Sequence, residues 1–122
     1  MRALVYLACP YSHPDQAVRE ARFHAANRCA SEFMRAGVFI FSPISHTHPI
    51  AIAGGLPLSW DFWEPYDRAV LGACGAVYVL MLEGWQESKG VAAEIVIARE
   101  LGLPVEYLEP ESAAGALPGG CR

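Results

Sequence analysis

Four short, largely apolar runs recur along the chain: RALVYLAC (2–9), VFIF (38–41), AVYVLML (76–82) and PVEYL (104–108). Runs of this length without polar alternation suit strands covered on both faces, the situation of a parallel sheet between helices. Helical spacing fills most of the sequence between them. Strand and helix in alternation predict a three-layer α/β/α sandwich with a mainly parallel sheet of four to five strands, flavodoxin-like or Rossmann-like in kind.

The punctuation agrees with that order. Asp15 suits the N-cap of a helix that runs to about Arg35 and ends at Gly37. Ser59 or Asp61 opens a second helix reaching about Ala73. Ser88 caps a third, which Gly102 and Pro104 terminate. The stretch SPISHTHPIAIAGGLP (42–57), rich in Pro, Gly and Ser, reads as a long loop. From Glu109 onward no periodic pattern remains. The expected organisation is one domain over 1–108 and a loose C-terminal tail over 109–122.

Composition narrows the classes of function. Of 122 residues 53% are hydrophobic and 18% charged, which places the chain among folded domains rather than disordered ones. The formal net charge is −4, and the nine cations are scattered rather than clustered. A nucleic-acid polymer would need a basic stripe, so none is expected as partner. No apolar run is long enough to span a bilayer, and the opening MRALVYLAC is shorter than a signal peptide. Cys9, Cys29, Cys74 and Cys121 show no CxxC spacing. They read as reduced thiols of a cytoplasmic protein, with Cys29 and Cys74 as helical core fillers and Cys9 near a site.

In an open parallel sheet, ligands bind outside the carboxyl ends of the strands, near the point where strand order reverses. Those ends carry CPYSHPD, SPISHTHP and LEGWQESKG, which hold most of the unusual polar and aromatic residues. GxGxxG, GxxxxGK[ST] and GxSxG are all absent, so a dinucleotide fold of that type, a P-loop and a nucleophile elbow are excluded.

Glu94 is the most informative residue at this edge. In SKGVAAEIVIAREL it falls on the same helical arc as Val91, Ile95, Ile97, Ala98 and Leu101, whereas Glu100 points to water. A carboxylate on a core-facing arc is protonated, paired, or at the rim of a cavity. A structural ion pair with Arg68 or Arg99 is the plain alternative. Asp67 is either a second acid of the site or a cap or ion-pair partner. Tyr6 is either core or the phenol that orients a carboxylate. Asp61 lies between Trp60 and Trp63, an arrangement that suits a flat heterocycle, or a subunit contact. Pro10, Tyr11 and Ser12 after the first strand, His46 in SHTHP, and Trp85 and Gly90 at the third strand end complete the substrate-contact candidates. His46 and His48, with His13 or Asp61, allow a metal site only if a third ligand joins them; no metal ligand and no cofactor is assigned.

These segments together carry a resemblance. YLACPYSHP, VFIFSPISHTHPIA, the D-x-W-x-x-x-D helix and GWQESKGVAAEIVIARELGLPV, over about residues 3–107, resemble a bacterial and phage family of small proteins. That family is similar to the nucleoside 2-deoxyribosyltransferases and the 2'-deoxynucleoside 5'-phosphate N-hydrolases. The resemblance implies that Glu94 attacks the anomeric carbon of a deoxynucleoside, that Tyr6 orients it, and that Asp67 lies near the sugar and departing base. It also implies that Ser88 and the amides around Lys89–Gly90 receive a phosphate or sugar hydroxyl, and that the chain forms a homo-oligomer. The expected substrate is a small nucleoside or nucleotide. A non-catalytic nucleotide-sensing module and a metal-dependent phosphoesterase built on His46, His48 and Asp61 are the competing readings.

Overall fold

The computed structural model describes residues 3–110. The expected tail beyond Pro110 lies outside the described residues, as does Cys121. The chain runs β1 (Leu4–Ala8), α1 (Gln16–Arg35), β2 (Ile40–Phe41), α2 (Pro43–Gly54), α3 (Trp60–Gly72), β3 (Cys74–Leu80), α4 (Lys89–Glu100) and β4 (Val105–Leu108). Among the described residues the sheet has four strands, all parallel, in the order β2-β1-β3-β4. This is the three-layer α/β arrangement that the alternation of apolar runs implied. No helix among the described residues is long and apolar enough to cross a membrane.

Strand alternation divides the core into two layers. Val5, Leu7 and Cys9 of the first strand segment pack with Ala26, Cys29, Ala30 and Phe33 of α1. Tyr6 and Ala8 point the other way, into a layer formed with Leu71 of α3, Val77 and Val79 of β3, and Val91, Ile97 and Ala98 of α4. A period of two along β1 therefore feeds both faces of the sheet. The order of strands reverses between β1 and β3, and the loops after these two strands flank the crevice.

Several expectations are corrected. Residues 42–57 are not a loop, because 43–54 form α2. Ser42 caps it, accepting from the Ser45 amide at 3.4 Å and the Ser45 hydroxyl at 2.8 Å, and Pro43 occupies the first turn, where its missing N–H costs nothing. Pro49 sits inside the helix and Gly55 closes it in the left-handed region at φ 62°. β3 begins at Cys74, so Cys74 is a buried strand residue and not a helical one. Leu101 falls off the apolar arc of α4: it is the C-cap and half exposed. The second apolar run contributes only Ile40 and Phe41 to the sheet.

Removing the α2 cap tests this reading. Ser42→Ala is expected to lower the unfolding free energy by about 0.5–1 kcal/mol, seen as a lower urea midpoint with unchanged m-value. An unmoved midpoint would mean that Pro43 and tertiary packing define the helix start without Ser42.

Candidate functional site

A cavity of about 300 Å³ opens at the carboxyl edge of the sheet, beside the β1/β3 reversal. Its floor includes Leu7 and Cys9 at the end of β1. Ile44, Thr47, His48 and Ala51 of α2 form one wall. That spacing of three, four and seven residues is one face of a helix. Asp67, Trp60 and Trp63 of α3, with Ser88, Gly90, Val91 and Glu94 at the start of α4, also line it.

Glu94 is 7% exposed and is reached from the cavity. Among the described residues no cation pairs with it. Arg68 instead contacts Glu64 at 3.0 Å and Glu100 at 3.7 Å, and Arg99 donates to the Tyr107 hydroxyl. The partner of Glu94 is Tyr6, which is completely buried on β1 and donates its phenol to the Glu94 Oε2. Asp67, also buried, interacts with both.

Burial pushes the Glu94 carboxyl up to about 8; the Tyr6 hydroxyl opposes this and the neighbouring Asp67 adds to it. Burial likewise pushes Asp67 up to about 6, opposed by hydrogen bonding with Glu94 and Tyr6. Tyr6 itself is held well above the ordinary phenol range, first by burial and then by the two carboxyls. Between these values the acid pair holds one proton. Cys9 is unsuited to nucleophilic work, since burial raises its thiol further still.

The rim is held by a few polar contacts. Ser88 caps α4, accepting from the Val91 amide at 3.1 Å, which leaves the Lys89 and Gly90 amides in the first turn of the helix beside the cavity. A Cβ at position 90 would stand 3.6 Å from the Trp60 ring, so that indole packs directly on this turn. Trp63 is fixed by donating to the Pro57 carbonyl at 2.8 Å. Ser12 donates to the Leu58 carbonyl at 2.9 Å and ties the loop after β1 to the α2–α3 connection. Arg22 spans the loops after β1 and β3, donating to the Ser12 and Glu83 carbonyls, each at 3.1 Å. Gly84, at φ 89°, serves that contact: a Cβ there would lie 2.7 Å from the Arg22 Nη2.

Of the residues expected at a site, the structure places Tyr11, Ser12, Trp60 and Trp63 in the cavity wall, together with Asp67, Ser88, Gly90 and Glu94. Tyr6 acts on the cavity through Glu94 and Asp67. Four candidates stand elsewhere. Pro10 is fully buried behind the lining. His46 is on the outer side of α2 beside Phe41, because residues two apart on a helix diverge by about 200°. Asp61 is exposed in the first turn of α3. Trp85 packs on the Tyr107 ring and on the α4-side core. His46, His48 and Asp61 are thus not brought together.

His48, which the sequence suggests only as a candidate metal ligand, lines the cavity. It is 3% exposed, and both ring nitrogens are engaged: the Tyr11 hydroxyl lies 2.5 Å from Nδ1, and Glu20 Oε2 lies 2.8 Å from Nε2. The signal was the Ile44/Thr47/His48/Ala51 spacing, hidden by the surrounding prolines and glycines.

The pH dependence of stability follows from the acids. Glu94 and Asp67 bind protons more tightly folded than unfolded, so their contribution is complete below pH about 4 and is lost as pH rises through 6 and then 8. Through Glu94 alone the slope is at most about 1.4 kcal/mol per pH unit. The melting temperature should therefore fall between pH 5 and 8.5, and fall less in Glu94→Gln, which should melt higher than the parent at the alkaline end. Parallel curves would mean that Glu94 is hydrated and ordinary.

Residues 3–109 match the family described as a domain of unknown function, DUF1937. No curated protein matches the chain.

Proposed function

The chain belongs to the DUF1937 family, and we propose that this member cleaves or transfers the N-glycosidic bond of a deoxynucleoside or nucleotide, with Glu94 as nucleophile. The observation that carries the reading is a buried carboxyl with no cation on it, held by a phenol and facing open space beside a second acid. A structural ion pair would need a guanidinium there, and none of the described residues supplies one. The resemblance to the nucleoside 2-deoxyribosyltransferases and N-hydrolases assigns the same three residues, Glu94, Tyr6 and Asp67, to that chemistry.

Cleavage of an N-glycosidic bond passes through a transition state with oxocarbenium character, and a carboxylate nucleophile divides it into two easier steps. Glu94 is the more basic of the two carboxyls, so the competent tautomer is the minor one, in which the single proton has moved to Asp67 and Glu94 attacks C1' as the carboxylate. Asp67 then protonates the departing base as the C1'–N bond breaks. The Tyr6 hydroxyl keeps one Glu94 oxygen hydrogen-bonded and leaves the other for the sugar. Trp60 and Trp63 offer flat surfaces for the base. The Ser88 hydroxyl and the first amides of α4 suit a sugar hydroxyl or a 5'-phosphate. Water or a second base then takes the sugar from Glu94.

The test is incubation with a panel of deoxynucleosides and their 5'-monophosphates, with and without a free acceptor base, followed by chromatography. Base release or exchange that disappears in Glu94→Ala is the expected result. Binding without turnover across the panel would leave a nucleotide-sensing module instead.

The acid pair also sets the expected rate profile. The competent form carries one proton, so kcat/KM should be bell-shaped with limbs near pH 6 and 8. Tyr6→Phe removes a donor that favours the charged Glu94, so the alkaline limb should move upward while kcat falls. A profile that is flat from pH 5 to 9 would overturn the assignment.

A further inference from the structure

Tyr11, His48 and Glu20 come from the loop after β1, from α2 and from α1, yet they form one continuous chain of hydrogen bonds. The neutral imidazole that satisfies both contacts donates from Nε2 to the Glu20 carboxylate and accepts the Tyr11 hydroxyl at Nδ1. Phe23 of α1 stacks on the ring, with centroids 4.3 Å apart and an angle of 30°, and Tyr11 meets its edge. The ring is therefore fixed in plane as well as in its contacts. The two ends of the chain differ. Tyr11 is on the cavity wall, while the Glu20 side chain is 38% exposed. Arg19 and Glu20, both from α1, are the charged groups that act on Tyr11.

His48 is satisfied on both sides by side chains that can exchange protons, and it spans the distance from cavity to solvent. We infer that Tyr11, His48 and Glu20 form a proton relay in which Tyr11 is the catalytic base for the water that takes the sugar from Glu94. His48 and Glu20 are positioning residues for it. The inference rests on the glycosyl-transfer reading above and deepens it by assigning the second half-reaction.

The step balances. The acceptor, water, gives its proton to the Tyr11 oxygen as the Tyr11 proton passes to His48 Nδ1; an incoming base instead returns its proton to Asp67, the reverse of the first half. The acceptor atom bonds to C1', the bond from C1' to the Glu94 oxygen breaks, and its electron pair returns to the carboxylate. The imidazolium, stabilised against Glu20, keeps its Nε2 proton and returns the Nδ1 proton through Tyr11 to cavity water as the product leaves, which restores the starting tautomer. The carboxyl pair recovers from solvent the proton it gave to the departing base.

The relay serves only the second half, and that makes it separable from the acid pair and from simple packing. In the full chain, Tyr11→Phe and His48→Gln should keep a first burst of base release of about one equivalent. Steady-state hydrolysis should then fall about 10²–10³-fold, with the glycosyl adduct on Glu94 visible by intact mass spectrometry. Glu20→Gln, at the exposed end, covers the case in which His48→Gln fails to fold, and it should lose about tenfold. Azide is an anionic acceptor with no proton to give up, and it should restore sugar release in Tyr11→Phe. Burst and turnover falling together without adduct, or turnover within about threefold of the parent, would overturn the relay while leaving Glu94 in place. No base release by the parent protein would overturn the glycosyl-transfer reading, and the relay with it.

Discussion

Glu94 is kept in an otherwise apolar layer by one phenol and one neighbouring acid, and the construction of the strand edge follows from that. Taking a lone carboxylate out of water is costly enough that the group takes up a proton unless donors surround it. Tyr6 supplies one donor from the centre of the sheet, where full burial leaves it no alternative partner in solvent. Asp67 adds a second acid, so the group of three holds a proton near neutrality that a pair with arginine would not hold. Position and protonation state are thus set by the same three side chains.

The elements around this group share a division of labour. β1 and β3 lie side by side at the reversal of strand order and bring Tyr6, Cys9 and the loop to Tyr11 to one edge. α3 and α4 close the far face and carry the acids and the indoles. α2 supplies a wall that is neither core nor surface: its inner positions Ile44, Thr47, His48 and Ala51 face the cavity, while Ile50 and Ile52 are outward. Arg22 and Ser12 then fasten the loops to one another through backbone carbonyls, which fixes the rim.

Much of this was legible from residue order. The strands and three helices came from apolar runs and caps, Glu94 from a carboxylate on an apolar arc, and Asp67 from its place on the helix before the third strand and from the resemblance; both are buried in the cavity wall. The missing second helix has one origin, which is that prolines and glycines suit a helix start and end as well as a turn. Pro43 begins a helix and Pro49 rides on the exposed side of the same helix, so composition concealed α2. With α2 unseen, His46 and His48 looked equivalent, whereas the helix sends one outward and the other inward. Asp61 and Trp85 were drawn in by their neighbours in sequence, but direction around α3 and packing on Tyr107 decide where they lie. The Tyr11–His48–Glu20 chain joins three elements far apart in sequence, and no local pattern announces it.

The alternation along β1 has a consequence for folding fidelity. Val5, Leu7 and Cys9 face α1 while Tyr6 and Ala8 face α4, and a slip of one residue exchanges the two sets. A misregistered chain would bury almost as much hydrocarbon, since valine, leucine, alanine and tyrosine all fill space. It would strand the phenol against α1 and leave the carboxyl of α4 without its donor. Apolar burial alone discriminates weakly between these arrangements, but the polar pair accepts only one of them. Any ligand that engages the completed pair would therefore act as a proof-reader of strand register, holding the chain in the single alignment that builds its binding site.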